Sequence, residues 1–246
     1  MKNELFTVIE NERIAKGIYR MRLEGETGGM APGQFVNVKL SGRYLRRPIS
    51  VCDINDGELT LIYKVVGGGT MDMSLLPKGT ILDILTGLGN GYDLAASGDK
   101  PLLIGGGVGV PPMYLLARKL VGQGKKPAVI LGFNTSEEAF YIDEFKVLGC
   151  DVSVATVDGS MGVKGFVTDA IRYLSEPYTY FYCCGPEPML KAVHRVSVTS
   201  GEFSFEERMG CGFGACMGCS CRTITGNKRI CREGPVLKKE EILWED

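Results

Sequence analysis

Histidine is nearly missing from this sequence. His194 is the only one among 246 residues, so neither a His-based proton relay nor a histidine-rich metal site can be assembled. It falls in a predicted helix beside Lys191 and Arg195 and reads as a solvated side chain or a partner contact. Net charge is missing as well: 28 Lys and Arg against 29 Asp and Glu leave −1. Without a basic field nothing holds the phosphates of a polyanion, and nucleic acid is excluded as a partner. Long apolar runs are also absent. No stretch reaches the ~18 residues of a membrane span, and the opening MKNELFTVIENERIAKG has no apolar segment followed by a small-residue cleavage site. These absences predict a soluble cytoplasmic protein with no membrane partner.

Glycine and cysteine are plentiful. The 34 Gly are about twice the ordinary share, and five of nine Cys lie between Cys211 and Cys231. In a reducing compartment clustered thiols are metal or redox ligands rather than a disulfide framework, and an odd count argues against full pairing. Cys52, Cys150, Cys183 and Cys184 adjoin apolar runs, where a thiol behaves as a small buried hydrophobe.

Three rhythms divide the chain. Over residues 1–97 short alternating runs such as Tyr19 to Glu24, Val36/Val38/Leu40 and Leu59/Leu61/Tyr63/Val65 predict an antiparallel β-barrel or sandwich, with a short helix at 71–76. Over 98–200 strands at 101–104, 127–132, 151–157 and 179–184 alternate with helices at 112–121, 137–148, 166–174 and 187–198. That order predicts an α/β domain on a mainly parallel sheet. Over 201–246 neither period holds, and the segment reads as a small Cys-rich domain.

Four motifs carry chemistry. Cys211-x4-Cys216-x2-Cys219, with Cys231 further on, has the spacing of plant-type [2Fe–2S] ferredoxins. Gly210, Gly212, Gly214 and Gly218 let the backbone turn its N–H groups toward sulfur. Four thiolates also suit a structural zinc, although zinc loops pair C-x2-C knuckles. Cys221 alternates with Cys219 and is expected to point away. The loop Gly105-Gly106-Gly107-Val108-Gly109 joins a strand to a helix and can offer N–H groups to a pyrophosphate. It departs from the dinucleotide fingerprint at Val110, and the next strand ends Phe133-Asn134 without an acidic residue. An exchangeable nicotinamide nucleotide fits it, as does a turn that only packs helix on strand. Arg47-Pro48-Ile49-Ser50, Ile62-Tyr63-Lys64 and Gly67-Gly68-Gly69-Thr70 combine elements able to bind a flavin dinucleotide. Cys183-Cys184-Gly185-Pro186 closes a strand where open α/β sheets place ligands.

Taken in this order, the motifs resemble the ferredoxin-NADP reductase superfamily, with its Arg-x-x-Ser flavin signature and Cys-Gly-Pro strand end. Together with Pro32-Gly33-Gln34-Phe35-Val36, Asp158-Gly159-Ser160 and Lys164 to Asp169, they resemble the electron-transfer subunits of class 1B dihydroorotate dehydrogenases. The resemblance implies a multi-domain chain: a β-barrel holding FAD, an α/β domain taking exchangeable NAD, and a C-terminal [2Fe–2S] domain. It places Arg47, Pro48, Ile49 and Ser50 along the flavin, has Ile62, Tyr63 and Lys64 contact it, and gives its pyrophosphate to Gly69 and Thr70. It assigns Gly105, Gly106, Gly107 and Gly109 to the nicotinamide nucleotide, Cys184 to the nicotinamide–flavin junction as the catalytic position, and Cys211, Cys216, Cys219 and Cys231 to iron. Ile49 stands where the wider superfamily has Tyr, so no stacked phenol is expected there. The implied partner is an FMN-containing catalytic dihydroorotate dehydrogenase subunit, in a heterotetramer of two copies each. The alternatives are a related small subunit serving a ferredoxin:NADP+ oxidoreductase or sulfide dehydrogenase, and a zinc-stabilised binding module.

Overall fold

Strict alternation near the amino terminus closes on itself as a barrel. In the computed structural model, which describes residues 1–244 and so leaves the last two residues of the 201–246 segment outside, β1 (Lys2–Ala15), β2 (Ile18–Glu24), β3 (Phe35–Val38), β4 (Arg47–Asn55) and β5 (Glu58–Lys64) come first. After α1 (Gly68–Ser74), β6 (Ile81–Leu88) closes the ring in the order β1-β2-β5-β4-β3-β6. One face of each strand fills the interior, with Phe6, Val8, Met21, Leu23, Val36, Val38, Leu61 and Ile84 buried. The predicted helix at 71–76 begins earlier, because Thr70 Oγ caps the turn by accepting from the Val66 and Gly67 amides at 3.0 and 3.3 Å.

The second rhythm builds a seven-stranded sheet. It is formed by β7 (Pro101–Gly106), α2 (Val110–Gly122), β8 (Ala128–Phe133), α3 (Ile142–Val147), β9 (Asp151–Thr156), β10 (Val163–Lys164), α4 (Val167–Ile171), β11 (Tyr180–Cys184) and α5 (Glu187–Val196). Leu102 to Ile104, Val129 to Leu131 and Phe181 to Cys183 are apolar on both faces because both faces are covered, as parallel strands require. α2 is wedged between sheet and barrel. Its Met113, Leu116 and Leu120 pack on the sheet, whereas Leu115 is buried among the barrel residues, a side chain worth roughly 1.5–3 kcal/mol when fully buried. Arg118 fastens the same contact by pairing with Asp53 at 2.7 Å and donating to Asn55 Oδ1 at 2.6 Å.

Two expectations differ from the structure here. The predicted helix at 137–148 is a 3-10 turn at Ser136–Glu138 followed by a break, and α3 starts only at Ile142. Tyr141 holds φ 65°, a left-handed conformation that buries Phe140 and Tyr141 in the core beside the barrel; that packing overrides the helical pattern. His194 is not simply solvated: its ring lies 6.0 Å from Phe203 and 5.6 Å from Trp244.

The carboxyl-terminal segment does not stand apart from this sheet. β12 (Gly201–Ser204) pairs in parallel with β11, a hairpin of β13 (Ser220–Thr223) and β14 (Gly226–Arg229) follows, and β15 (Val236–Lys238) returns antiparallel to β12. The sheet order is β10-β9-β8-β7-β11-β12-β15. Asn90, just past the barrel, donates to Val236 O at 2.7 Å and accepts from Val236 N at 2.9 Å, tying β15 back to the first domain.

Glu202 on β12 is a buried carboxyl that accepts the Asp93 amide at 3.0 Å. Burial pushes its pKa up to about 7. Because the folded value exceeds the unfolded one, this group favours folding fully below about pH 4.5 and loses that contribution as pH rises through 7. Glu202→Gln is therefore expected to gain stability relative to the parent protein between pH 5 and 8, by up to about 3 kcal/mol. Urea titrations across that range check it; a pH-independent difference would contradict it.

Candidate functional site

The barrel and the sheet face each other across two adjoining cavities. The first, about 290 Å³, is lined by Pro48, Ile49 and Ser50 of β4, Ile62, Tyr63 and Lys64 of β5, Thr70 of α1, and Cys184 at the end of β11. Residues from every part of the chain thus meet here. Phe35, Val66, Val108, Ser204, Phe205, Glu206, Glu207, Met209 and Pro235 complete the wall, and the sequence assigns none of these to the cleft. Alternation along β5 decides how its residues face: Ile62 packs with the sheet side, whereas Tyr63 turns its ring into the barrel core and donates from its hydroxyl to Asn11 Oδ1 at 2.9 Å. Arg47 and Gly69 come together beside the cleft. The Arg47 guanidinium lies directly on Gly69, and Arg43 lies on Gly68, 2.9 Å from where a Cβ would sit. A side chain at Gly69 would collide with Arg47. Two guanidiniums therefore cover the first turn of α1, whose N–H groups have no intrahelical acceptors.

The second cavity, about 490 Å³, opens at the carboxyl ends of the parallel strands. Gly106, Gly107 and Gly109 line it, with Gly132 to Asn134 at the end of β8, Gly165 to Thr168 at the start of α4, and Gly185, Pro186, Pro188 and Met189 at the start of α5. Gly105 does not line it; a Cβ there would lie 2.8 Å from the Val110 Cα. Packing also explains Gly109, where a Cβ would strike the Cys184 carbonyl. Gly107 is different: it has φ +52° and open space on its Cβ side, so its conformation and not crowding calls for glycine. Packing thus accounts for Gly105 and Gly109, and backbone conformation for Gly107.

No acidic residue closes β8 in the sequence, yet the cavity contains one. Glu138 lines it, accepts from Asn134 Nδ2 at 2.8 Å and pairs with Lys64 at 3.4 Å. Burial opposes its charge, but Asn134 and Lys64 hold its pKa below the ordinary value. The missed signal lay four residues downstream, in a turn mistaken for helix. Lys64, Val108 and Glu206 belong to both cavities and form their common wall. Burial raises the Glu206 carboxyl, and burial with that carboxyl nearby pushes the Cys184 thiol up to about 12. Cys184 is thus a neutral thiol at physiological pH. Its neighbour Cys183 points to the opposite face of the sheet, buried with Phe181 and Phe203.

The cysteines of the carboxyl-terminal segment gather as two pairs. Cys219 and Cys231 are buried at 2% and 1% exposure, with the Cys231 amide donating to Cys219 Sγ at 3.4 Å. Cys211 and Cys216 are the outer pair, with Cys216 exposed and their thiols hydrogen-bonded to each other. The Ala215 amide donates to Cys211 Sγ at 3.2 Å. Burial works against ionisation of Cys211, but N–H groups from Phe213, Cys216 and Ala215 hold it down to about 6. Among the described residues no three such side chains converge as they would around one ion. Cys221 lines a different cavity, between the hairpin and the start of α5.

A barrel joined to a parallel sheet with a ligand cavity at their junction, followed by a paired-cysteine segment, defines a ferredoxin-reductase-type oxidoreductase with an iron–sulfur domain. Residues 103–195 match the oxidoreductase NAD-binding domain family, and residues 206–243 match the iron–sulfur cluster binding domain of dihydroorotate dehydrogenase B. The chain is 46% identical over 256 residues to the dihydroorotate dehydrogenase B (NAD+) electron transfer subunit of Geobacillus sp. strain WCH70, covering 99% of each. It is 44% identical to the Fusobacterium nucleatum subunit of the same name, covering 98% of this chain and 99% of that one. A solved NADH-dependent reduced ferredoxin-NADP oxidoreductase superposes with TM-score 0.88 at 29% identity, over 97% of this chain and 90% of that one. The chain belongs to the family of dihydroorotate dehydrogenase B (NAD+) electron transfer subunits.

The two glycines at the cavity separate crowding from backbone strain. Gly109→Ala is expected to lower stability by about 1–3 kcal/mol by overpacking against Cys184, and Gly107→Ala by about 1 kcal/mol through its positive φ alone. Denaturant unfolding of both variants measures this; equal effects would contradict it.

Proposed function

We propose that this chain carries electrons between the FMN of a separate catalytic subunit and NAD+, through a bound FAD and a [2Fe–2S] cluster, so that oxidation of dihydroorotate to orotate is coupled to NAD+ reduction. The observation that carries the reading is adjacency. The nucleotide cavity shares Lys64, Val108 and Glu206 with the flavin-side cleft, and that cleft shares Phe35 and Met209 with the core around Cys219 and Cys231. Three sites in contact make a continuous route.

The residues fit each group. Arg47, with Arg43 beside it and the amides of Gly69 and Thr70, suits a pyrophosphate, and Pro48, Ile49, Ser50, Ile62, Tyr63 and Lys64 form the wall for the flavin ring. With Ile49 in that wall no phenol stacks on the ring. Gly106, Gly107 and Gly109, backed by Gly105, receive the nicotinamide nucleotide, and the Glu138 carboxylate suits a ribose hydroxyl better than a 2′-phosphate. Cys184 packs as a neutral, compact side chain where the two cavities meet. Cys211 and Cys216 would hold one iron and Cys219 and Cys231 the other, a pairing that a two-iron cluster requires and a single zinc does not. FAD, when bound, would supply the exchange between the single electrons a cluster delivers and the hydride that NAD+ takes up. The buried pair faces the flavin side, whereas exposed Cys216, with Phe213 and Met217 on the surface beside it, faces outward to the catalytic subunit. The assembly is a heterotetramer of two chains each, in the cytoplasm.

Co-expression with an FMN-containing dihydroorotate dehydrogenase subunit is expected to give a stable brown-yellow complex that forms orotate with NAD+. A complex that forms, lacks this turnover and instead reduces ferredoxin or NADP+ would favour the related ferredoxin:NADP+ oxidoreductase role. A colourless protein containing zinc would overturn both. Cys216→Ser is expected to lose iron and acid-labile sulfide, and Cys221→Ser to keep the parent visible spectrum; iron retained in the first would break the ligand assignment.

A further inference from the structure

In the loop that carries the outer cysteines, Phe213, Ala215 and Cys216 turn their N–H groups to the Cys211 sulfur. Two of the loop's carbonyls, those of Cys211 and Gly214, are held by side chains from elsewhere. Asn37 in barrel strand β3, 1% exposed, donates from Nδ2 to Cys211 O at 3.3 Å. Arg229 at the end of β14 donates from Nη1 to Gly214 O at 2.7 Å.

Both holders are themselves fixed and closely fitted. Asn37 is packed so tightly against Gly212, φ +78°, that a Cβ there would collide with Nδ2. The Arg229 guanidinium is gripped by Glu233 through Nε at 2.9 Å and through Nη2, while the Arg229 amide donates to the same carboxylate at 2.9 Å. Gly214, φ +91°, lies under the Arg232 stem, its Cβ position 2.6 Å from Cδ. At these two glycines the loop takes left-handed conformations that other residues rarely adopt.

Resting on the cluster reading above, we infer that Asn37 and Arg229 are positioning residues for the iron–sulfur loop: by anchoring the Cys211 and Gly214 carbonyls they keep the loop's N–H groups on sulfur. Neither touches the reacting atoms. Hydrogen bonds to cluster sulfurs favour the more negative, reduced form and so raise the potential. Asn37 adds a second consequence. It sits on the barrel strand whose Phe35 lines the flavin-side cleft, so one strand touches both that cleft and the cysteine loop.

The test uses the full-length holoprotein in complex with its catalytic subunit. Asn37→Leu keeps the volume and removes the donor; Arg229→Lys keeps the charge and removes the fork. Both are expected to lower the cluster's midpoint potential, change the g-values of its reduced electron paramagnetic resonance signal, and release iron to a chelator several-fold faster, with FAD content unchanged. Parent g-values and potential in both variants overturn the inference. If Arg229→Lys matches the parent while Arg229→Gln is shifted, Arg229 acts by charge and its positioning role is overturned. Should Asn37→Leu fail to retain FAD, Arg229→Lys decides alone. Parent protein without iron would instead bring down the cluster reading itself, and this inference with it.

Discussion

Everything functional in this molecule depends on α2 being wedged between the barrel and the sheet. One helix contributes Leu115 to the barrel core and Met113, Leu116 and Leu120 to the sheet core, while Arg118 pairs with Asp53 of β4. The two layers therefore share apolar packing instead of meeting across a wet, adjustable surface. Close-packed interiors resist small displacements. The cavity at the strand ends and the cleft beside β4 and β5 consequently keep a common wall, and Cys184, at the end of β11, stands beside it.

The cysteine segment uses the same economy of connection. It leaves the sheet at β12, folds as a loop and hairpin, and returns as β15 to pair with β12 again. Asn90 fastens that return strand to the barrel's exit. The inner cysteines are thereby buried with Phe35 and Leu88 of the barrel region. An electron carrier needs short distances and little rearrangement, and a segment stitched at both ends to a rigid sheet supplies both.

Much of this was legible in the residues because the signals were local. Period-two runs pointed to an antiparallel barrel or sandwich, alternating strand and helix runs to the parallel sheet, and the Cys211-x4-Cys216-x2-Cys219 spacing to a cluster rather than knuckle-type zinc; closure into a barrel is seen in the strand order. Glycine loops marked both cavities. The failures were places where distant packing overrode local pattern. Residues 137–148 carry a helical rhythm, but burying Phe140 and Tyr141 against the barrel side breaks it, and the break is what brings Glu138 into the nucleotide cavity. β12 and β15 are short strands whose partners lie far away in sequence or on an edge, so periodicity could not assign them. Glu206, Phe205 and Met209 follow β12, and without that strand their place in the wall was invisible.

By itself the sequence narrowed the chemistry: one histidine and balanced charge exclude a histidine relay and a polyanion, and the clustered thiols with their C-x4-C-x2-C spacing favour cysteine-held iron over zinc. It also determined the barrel-then-sheet order. Only the tertiary structure decided that Gly109 is required by crowding and Gly107 by its positive φ, which cavities Lys64, Val108 and Glu206 join, and that Cys219 and Cys231 are buried while Cys211 and Cys216 lie nearer the surface. The physical reason is that alternation along a strand and spacing along a loop are local properties. Which face is covered, and by what, is settled by the element that packs on it.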